Sequence, residues 1–117
     1  MERLCFPYLT YTDPPQSLFP GSINTGFIYT MNVTKEQFKQ YNFHDFNEMI
    51  LTLIFGRTES LFCFDTYQFN DYSKYVSSRF EPEKKKKRHD EIFPEDCKKA
   101  FDMGTRFAGY SYAAVQA

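Results

Sequence analysis

Two short segments constrain this chain most, because both carry the residues of buried β-strands. Residues 24–31 (NTGFIYTM) and 60–69 (SLFCFDTYQF) place β-branched and aromatic side chains on both faces of an extended backbone. Apolar residues on both faces are typical of parallel strands that helices cover on each side. We therefore predict a strand at each segment, within an α/β fold.

Helical patterns alternate with these two segments. Residues 1–9 have the apolar spacing of the last turns of a helix, and residues 34–37 (TKEQ) fit a capping box that starts another. A second candidate start is Asp45, because apolar residues then recur at helical spacing as far as Gly56, where a left-handed residue would end the helix. The predicted inner face of this helix consists of Phe46, Met49, Ile50, Leu53 and Ile54.

The final helix is predicted to open at Pro94, with Glu95 and Asp96 in its first turn. The order of elements is then helix end, strand, helix, strand and helix, which is the order of a doubly wound parallel sheet. Two strands are too few for such a sheet, so we expect further strands to come from elsewhere. The predicted inner face of the last helix consists of Cys97, Phe101, Gly104, Phe107 and Ala108.

Composition excludes several classes of partner. Fourteen basic and fifteen acidic residues give a net charge of −1, so we predict neither a nucleic-acid partner nor a membrane partner. Three cysteines without a C-x-x-C spacing favour neither a disulfide framework nor a zinc site, and reduced thiols suit a cytoplasmic protein. The chain has no signal-peptide pattern and no apolar run near the ~20 residues of a membrane span. Its start is already dense in apolar residues, which we interpret as an interior position of a domain.

Several chemically distinctive residues have an ordinary interpretation. The basic run at residues 84–88 (KKKKR) could bind phosphate groups, but neighbouring acidic residues favour a solvated, self-paired helical face. His44 and His89 are interpreted as solvated or local capping residues. Cys63 and Cys97 occupy positions typical of small buried hydrophobic residues. Three tyrosines that could stack on a ring are expected in a core or an interface instead: Tyr8, Tyr11 and Tyr29.

Three stretches taken together resemble one protein family. They are residues 1–9 (MERLCFPYL), 25–32 (TGFIYTMN) and 88–104, which contains FPEDCKKAF. In this order they resemble the C-terminal half of the flavodoxin-like NAD(P)H-dependent FMN oxidoreductases, the group that includes iron–sulfur flavoproteins and multimeric flavodoxins. The resemblance implies that residues 1–117 are the C-terminal part of a single flavodoxin-like domain. Its parallel sheet would have the strand order 2-1-3-4-5, with only the last two strands present.

The resemblance also implies a cofactor site. Met31, Asn32, Val33 and Thr34 match the loop that approaches the flavin ring in the family, so they are the predicted FMN-binding residues. The loop that holds the FMN phosphate in the family has no counterpart here, and neither has the cysteine cluster of an iron–sulfur centre. No catalytic side chain and no metal ligand are predicted. Asn32 and Thr34 are also ordinary residues for a turn and a helix N-cap, and the residues themselves favour that interpretation over a flavin contact.

Two functions therefore stand as alternatives. In the first, the chain belongs to a flavoprotein that transfers electrons from NAD(P)H through FMN. In the second, it is a truncated or split, non-catalytic remnant that folds by association, as a homo-oligomer or with the missing N-terminal half, and binds no flavin by itself.

Overall fold

The computed structural model describes the backbone of residues 1–41 and 43–116. It describes the side chains of the same residues except 43, 44 and 110–116. Short 3-10 helices lie at Phe6–Tyr8 and Tyr72–Lys74. The other elements are, in chain order, α1 (Glu2–Cys5), β1 (Thr25–Thr30), α2 (Lys35–Phe38), α3 (Phe43–Phe55), β2 (Thr58–Cys63), α4 (Pro82–Glu91) and α5 (Phe93–Gln116).

The chain divides into two compact units, each built from separated segments. Unit 1 consists of residues 1–27, 42–60 and 103–117, and unit 2 of residues 28–41 and 61–102. None of the helices among the described residues combines the length and apolarity needed to cross a bilayer.

The two predicted strands pair in parallel. The N–H of Thr25 donates to the carbonyl of Arg57 at 2.9 Å, and six residues later the N–H of Met31 donates to the carbonyl of Cys63 at 3.0 Å. The donor and the acceptor both lie six residues further along the chain in the second bond, so β1 and β2 run in the same direction. In the described residues they form a two-stranded parallel sheet, so the α/β prediction is confirmed at that level.

The strand predictions need two corrections. β1 alternates between half-buried and exposed positions, with Ile28 52% exposed, so burial on both faces is wrong for this strand. β2 runs from Thr58 to Cys63, and residues 64–69 lie outside it. The backbone leaves the extended region at Asp65, whose φ is +54°, a conformation that Asp tolerates better than most residues.

The core of unit 1 forms around α3. Buried Ile50 and Ile54 confirm part of the predicted inner face. The prediction is wrong for Phe46, Met49 and Leu53, which are exposed. A helix turns by about 100° per residue, so the face formed by the buried residues Ile50, Leu51, Ile54 and Phe55 is centred roughly 110° or more away from these three. The buried cluster comprises Cys5, Ile50, Leu51, Ile54 and Phe55, with Tyr8, Leu9, Phe19 and Phe27 packed against it.

Two local predictions about helix ends are confirmed. At the start of α2, the Thr34 hydroxyl accepts from the N–H of Gln37 at 3.3 Å, and the Gln37 side chain accepts from the N–H of Thr34 at 2.9 Å. α3 starts at Phe43, two residues before the predicted Asp45, and Gly56 follows its end with φ +109°. Gly56 is favoured there because a side chain would strain that backbone conformation.

α5 begins at Phe93, with Pro94 in its first turn as predicted. The predicted inner face is largely wrong. Phe101 is 74% exposed, and Cys97, Gly104 and Ala108 are also exposed, whereas Phe107 is half-buried. The buried residues of this helix include Asp96 and Met103.

Candidate functional site

Two loops meet where β1 and β2 end. The N–H of Asp65 donates to the carbonyl of Val33 at 2.9 Å, and the N–H of Thr66 donates to the carbonyl of Met31 at 3.0 Å. The carboxyl ends of parallel strands share one edge of a sheet, where α/β proteins most often bind ligands. This edge is the natural candidate site in unit 2.

Lys85 of α4 joins the two loops. Its ammonium donates to the Asn32 carbonyl at 3.0 Å, to the Asp65 carboxylate at 2.5 Å and to the Thr66 carbonyl at 3.2 Å. It also donates to the side-chain oxygen of Asn32. The residue is only 5% exposed, and the Phe80 ring lies 5.6 Å from its nitrogen. A buried lysine with this set of oxygen partners is the centre of the site.

A cavity of about 340 Å³ opens beside this lysine. Most of its lining residues are polar or charged, including the basic residues Arg79 and Lys84 and the acidic residues Asp65 and Glu81. The lining residues are Asn32, Val33, Thr34, Gln37, Asp65, Arg79, Phe80, Glu81, Lys84 and Lys85. Its volume is at the lower end for small-molecule pockets, enough for a ring system.

Another cavity, of about 280 Å³, shares Lys85 and Asp65 with the first. Aromatic rings form much of its wall: the His89 ring centroid lies 5.0 Å from Tyr67 and 5.3 Å from Phe93. The remaining lining residues are Thr30, Thr66 and Arg88. The Lys85–Asp65 pair is therefore a wall common to both cavities.

The four residues predicted to bind FMN occupy the loop after β1. Asn32, Val33 and Thr34 line the larger cavity, whereas Met31 contributes backbone groups that bind β2 and the loop after it. Asn32 uses both of its oxygens for Lys85, and the Thr34 hydroxyl caps α2. Asn32 thus serves in the turn after β1 and Thr34 as a helix N-cap, as their ordinary interpretation predicts. These contacts hold both residues beside the cavity.

The prediction for the basic run is half right. Lys84 pairs with Glu81 at 2.8 Å and Lys86 pairs with Asp90 at 2.5 Å, on a solvated helical face as expected. The same prediction is wrong for Lys85 and Arg88, which turn inward. Four consecutive lysines look alike in sequence, so no signal in the run itself distinguishes the second lysine from its neighbours.

Arg88 and Asp96 form a mostly buried ion pair that was not predicted from the sequence. The guanidinium lies 2.5 Å from the Asp96 carboxylate, and Lys99 lies 3.2 Å from the other carboxylate oxygen. Burial raises the pKa of Asp96, but the hydrogen bonds and positive charges of Arg88 and Lys99 outweigh it and hold the pKa below its ordinary value. Asp96 therefore stays ionised at neutral pH.

The cysteines and tyrosines divide between buried and exposed positions. Cys63 is buried as predicted, and that burial raises the pKa of its thiol, whereas Cys97 is exposed. Tyr8 packs on Phe19 in the core of unit 1, as expected.

Tyr29 stacks on Phe62 at 5.1 Å, which is also the expected role. Tyr11 is exposed and lies outside the core, so its expected place in an interface stays a prediction. His89 is exposed as predicted, and the His44 side chain lies outside the described residues.

No family model, curated protein or solved structure matches this chain. Among the described residues, no group of three or more His, Cys, Asp or Glu side chains is arranged to hold a metal ion.

Proposed function

We propose that the chain is the C-terminal portion of a flavodoxin-like NAD(P)H-dependent FMN oxidoreductase and supplies one wall of its flavin site. The observation that supports this most is the cavity of about 340 Å³ at the carboxyl ends of two parallel strands, lined by Asn32, Val33 and Thr34. This is the edge at which doubly wound sheets hold their cofactors. The loop that resembles the family's flavin-contacting loop borders that cavity.

The residues present fit part of a flavin. A flavin bound there would accept hydride from NAD(P)H and pass electrons on. Asn32 and Thr34 are held in fixed positions, so they would orient a ring without having to be ordered first. α2 spans four residues, and its capping box occupies the N–H of Gln37, so it makes a poor phosphate site. The chain therefore fits a flavin ring and does not fit the FMN phosphate.

The missing phosphate contacts set the expected affinity. Each charge-assisted hydrogen bond to a phosphate contributes about 1.5 kcal/mol or more. Losing three of them costs roughly 4 kcal/mol, which corresponds to about a thousandfold weaker binding. We expect millimolar affinity for FMN from this chain alone.

Nuclear magnetic resonance tests this proposal directly. FMN at about 5 mM should shift the amide signals of residues 32–34 and 65–66, whereas inorganic phosphate at the same concentration should leave them unchanged. Fluorescence titration should show no saturable quenching below about 100 μM, with or without the substitution Asn32→Ala. An absence of FMN-induced shifts in those amides would overturn the proposal. Saturable micromolar binding would instead show that the phosphate loop is dispensable.

A second candidate is a non-catalytic remnant that folds by association with a second copy or with the missing N-terminal half. The observation that favours it is apolar exposure: Ile28 of β1 and Phe46 and Met49 of α3 are each more than half exposed. In the described residues each strand pairs only with the other, which leaves strand edges that proteins normally cover.

Light scattering separates the two candidates. A colourless oligomer that shows no FMN shifts would support the second function. A stable monomer at about 100 μM with cooperative unfolding would contradict it, because the chain would then close its own core.

A further inference from the structure

Lys85 has more hydrogen-bond acceptors around it than it has protons to donate. An ammonium carries three N–H groups, and here four oxygens from Asn32, Asp65 and Thr66 surround it. The group is thus fully satisfied and has no donor left for a ligand. These contacts within the chain point to a role in holding the surrounding backbone.

The acceptors come from both loops at the strand ends. Asn32 belongs to the loop after β1, whereas Asp65 and Thr66 belong to the loop after β2. A charged group buried to this extent is tolerated only when it is paired and hydrogen-bonded. Any displacement of one loop relative to the other would leave the ammonium without some of its partners. One relative position of the two loops is therefore favoured.

The two lysines beside Lys85 differ from it in burial and in the distance of their partners along the chain. Lys84 and Lys86 pair with acidic residues of their own helical segment and remain exposed. Their loss would remove surface ion pairs of little consequence. Lys85 alone in this trio carries a side chain that reaches residues 20 and 53 positions away.

We propose that Lys85 is the positioning residue of the candidate site: its ammonium locks the loop after β1 to the loop after β2 and so sets the shape of both cavities that it lines. On this proposal the positive charge in the middle of the basic run serves to position the two loops. The assignment of a flavin to the larger cavity rests on the proposed function, but the locking itself does not.

The test replaces Lys85 with Met, which keeps the length and removes the charge, and uses Lys86→Met, at an exposed lysine outside both cavities, as the matched control. Amide hydrogen exchange is followed at Asp65 and Thr66, whose N–H groups join the two loops. We expect exchange at these two amides to accelerate at least about tenfold in Lys85→Met, with little change at Met103 of α5 and none in the control. Uniform acceleration at all protected amides would indicate general destabilisation and would overturn the proposal.

Chemical rescue provides a second test that remains informative if Lys85→Met fails to fold. In Lys85→Ala the missing atoms correspond to n-propylammonium, which should restore slow exchange, or folding itself, when added. Tetramethylammonium at the same ionic strength has no N–H donor and should not. Equal effects of the two cations would contradict the proposal. These readouts need no flavin, so their failure is distinct from a failure of FMN to shift the loop amides.

Discussion

Arg88 and Asp96 form a mostly buried ion pair, with Nη2 of the arginine 2.5 Å from Oδ2 of the aspartate, that joins the last turn of α4 to the first turn of α5. The Asp96 side chain is only 4% exposed. A carboxylate in the first turn of a helix is also favoured by the helix dipole. The pair therefore connects the end of α4 to the start of α5, beside the backbone hydrogen bonds of the turn between them.

We expect Asp96→Asn to destabilise the protein by about 3 kcal/mol at pH 7, because it leaves Arg88 without its buried partner. The matched control is Asp102→Asn, which breaks the exposed pair with Lys98 and should cost at most about 1 kcal/mol. Urea unfolding monitored by circular dichroism measures both. Equal costs for the two variants would show that burial of the Arg88 pair contributes nothing.

The same aspartate predicts an acid transition. Its folded pKa lies below the ordinary value of 3.8, so its contribution to stability is present above that pH and is lost as the pH falls through the lower folded pKa. The free energy of unfolding of the unmodified chain should therefore decline on acidification below about pH 4 more steeply than that of Asp96→Asn. Parallel curves for the two proteins would contradict the pKa assignment.

Two glycines should respond in opposite directions to alanine. Gly56 has φ +109°, and an added Cβ would lie closer to the Ser22 hydroxyl than atoms allow, so Gly56→Ala should cost about 2 kcal/mol or more. Gly104 lies within α5, and a Cβ there meets nothing within 4 Å, so Gly104→Ala should stabilise by about 0.5–1 kcal/mol. Thermal unfolding measures both. Destabilisation by Gly104→Ala would show that its helical environment is not open.

Adjacent residues of α3 should differ sharply. Ile54 is 2% exposed in the core of unit 1, so Ile54→Ala should cost about 3 kcal/mol through lost burial and a new cavity. Leu53 is 36% exposed, and Leu53→Ala should cost about 1 kcal/mol or less. Chemical denaturation provides the comparison. A greater cost at Leu53 than at Ile54 would show that the face of α3 carrying Phe46, Met49 and Leu53 packs inward.

Thiol labelling checks the burial of the three cysteines. Cys97 is exposed, whereas Cys5 and Cys63 are buried, and burial raises the pKa of Cys63 and lowers its thiolate fraction. A thiol reagent at pH 8 should therefore modify Cys97 rapidly in the folded protein and the other two only on unfolding. Cys97→Ser should remove the rapid phase. Rapid labelling of Cys63 would indicate that the end of β2 opens readily.

Local features were predictable from sequence because neighbouring residues determine them. The capping box at Thr34 and Gln37 depends on residues three positions apart, and Gly56 ends α3 through its own backbone freedom. The two strand segments were likewise recognisable from composition. Their parallel pairing followed from the helices between them, since parallel strands need a crossover connection.

The tertiary structure alone decided which faces turn inward and where the site lies. Apolar and aromatic residues occur around most of α3 and α5, so periodicity allowed several inner faces, and packing selected the one with Ile50 and Ile54 and the one with Asp96 and Met103. Lys85 is indistinguishable from the lysines beside it until residues 20 and 53 positions away supply its oxygens. A buried charge is determined by partners distant in sequence, and only the folded chain brings those partners together.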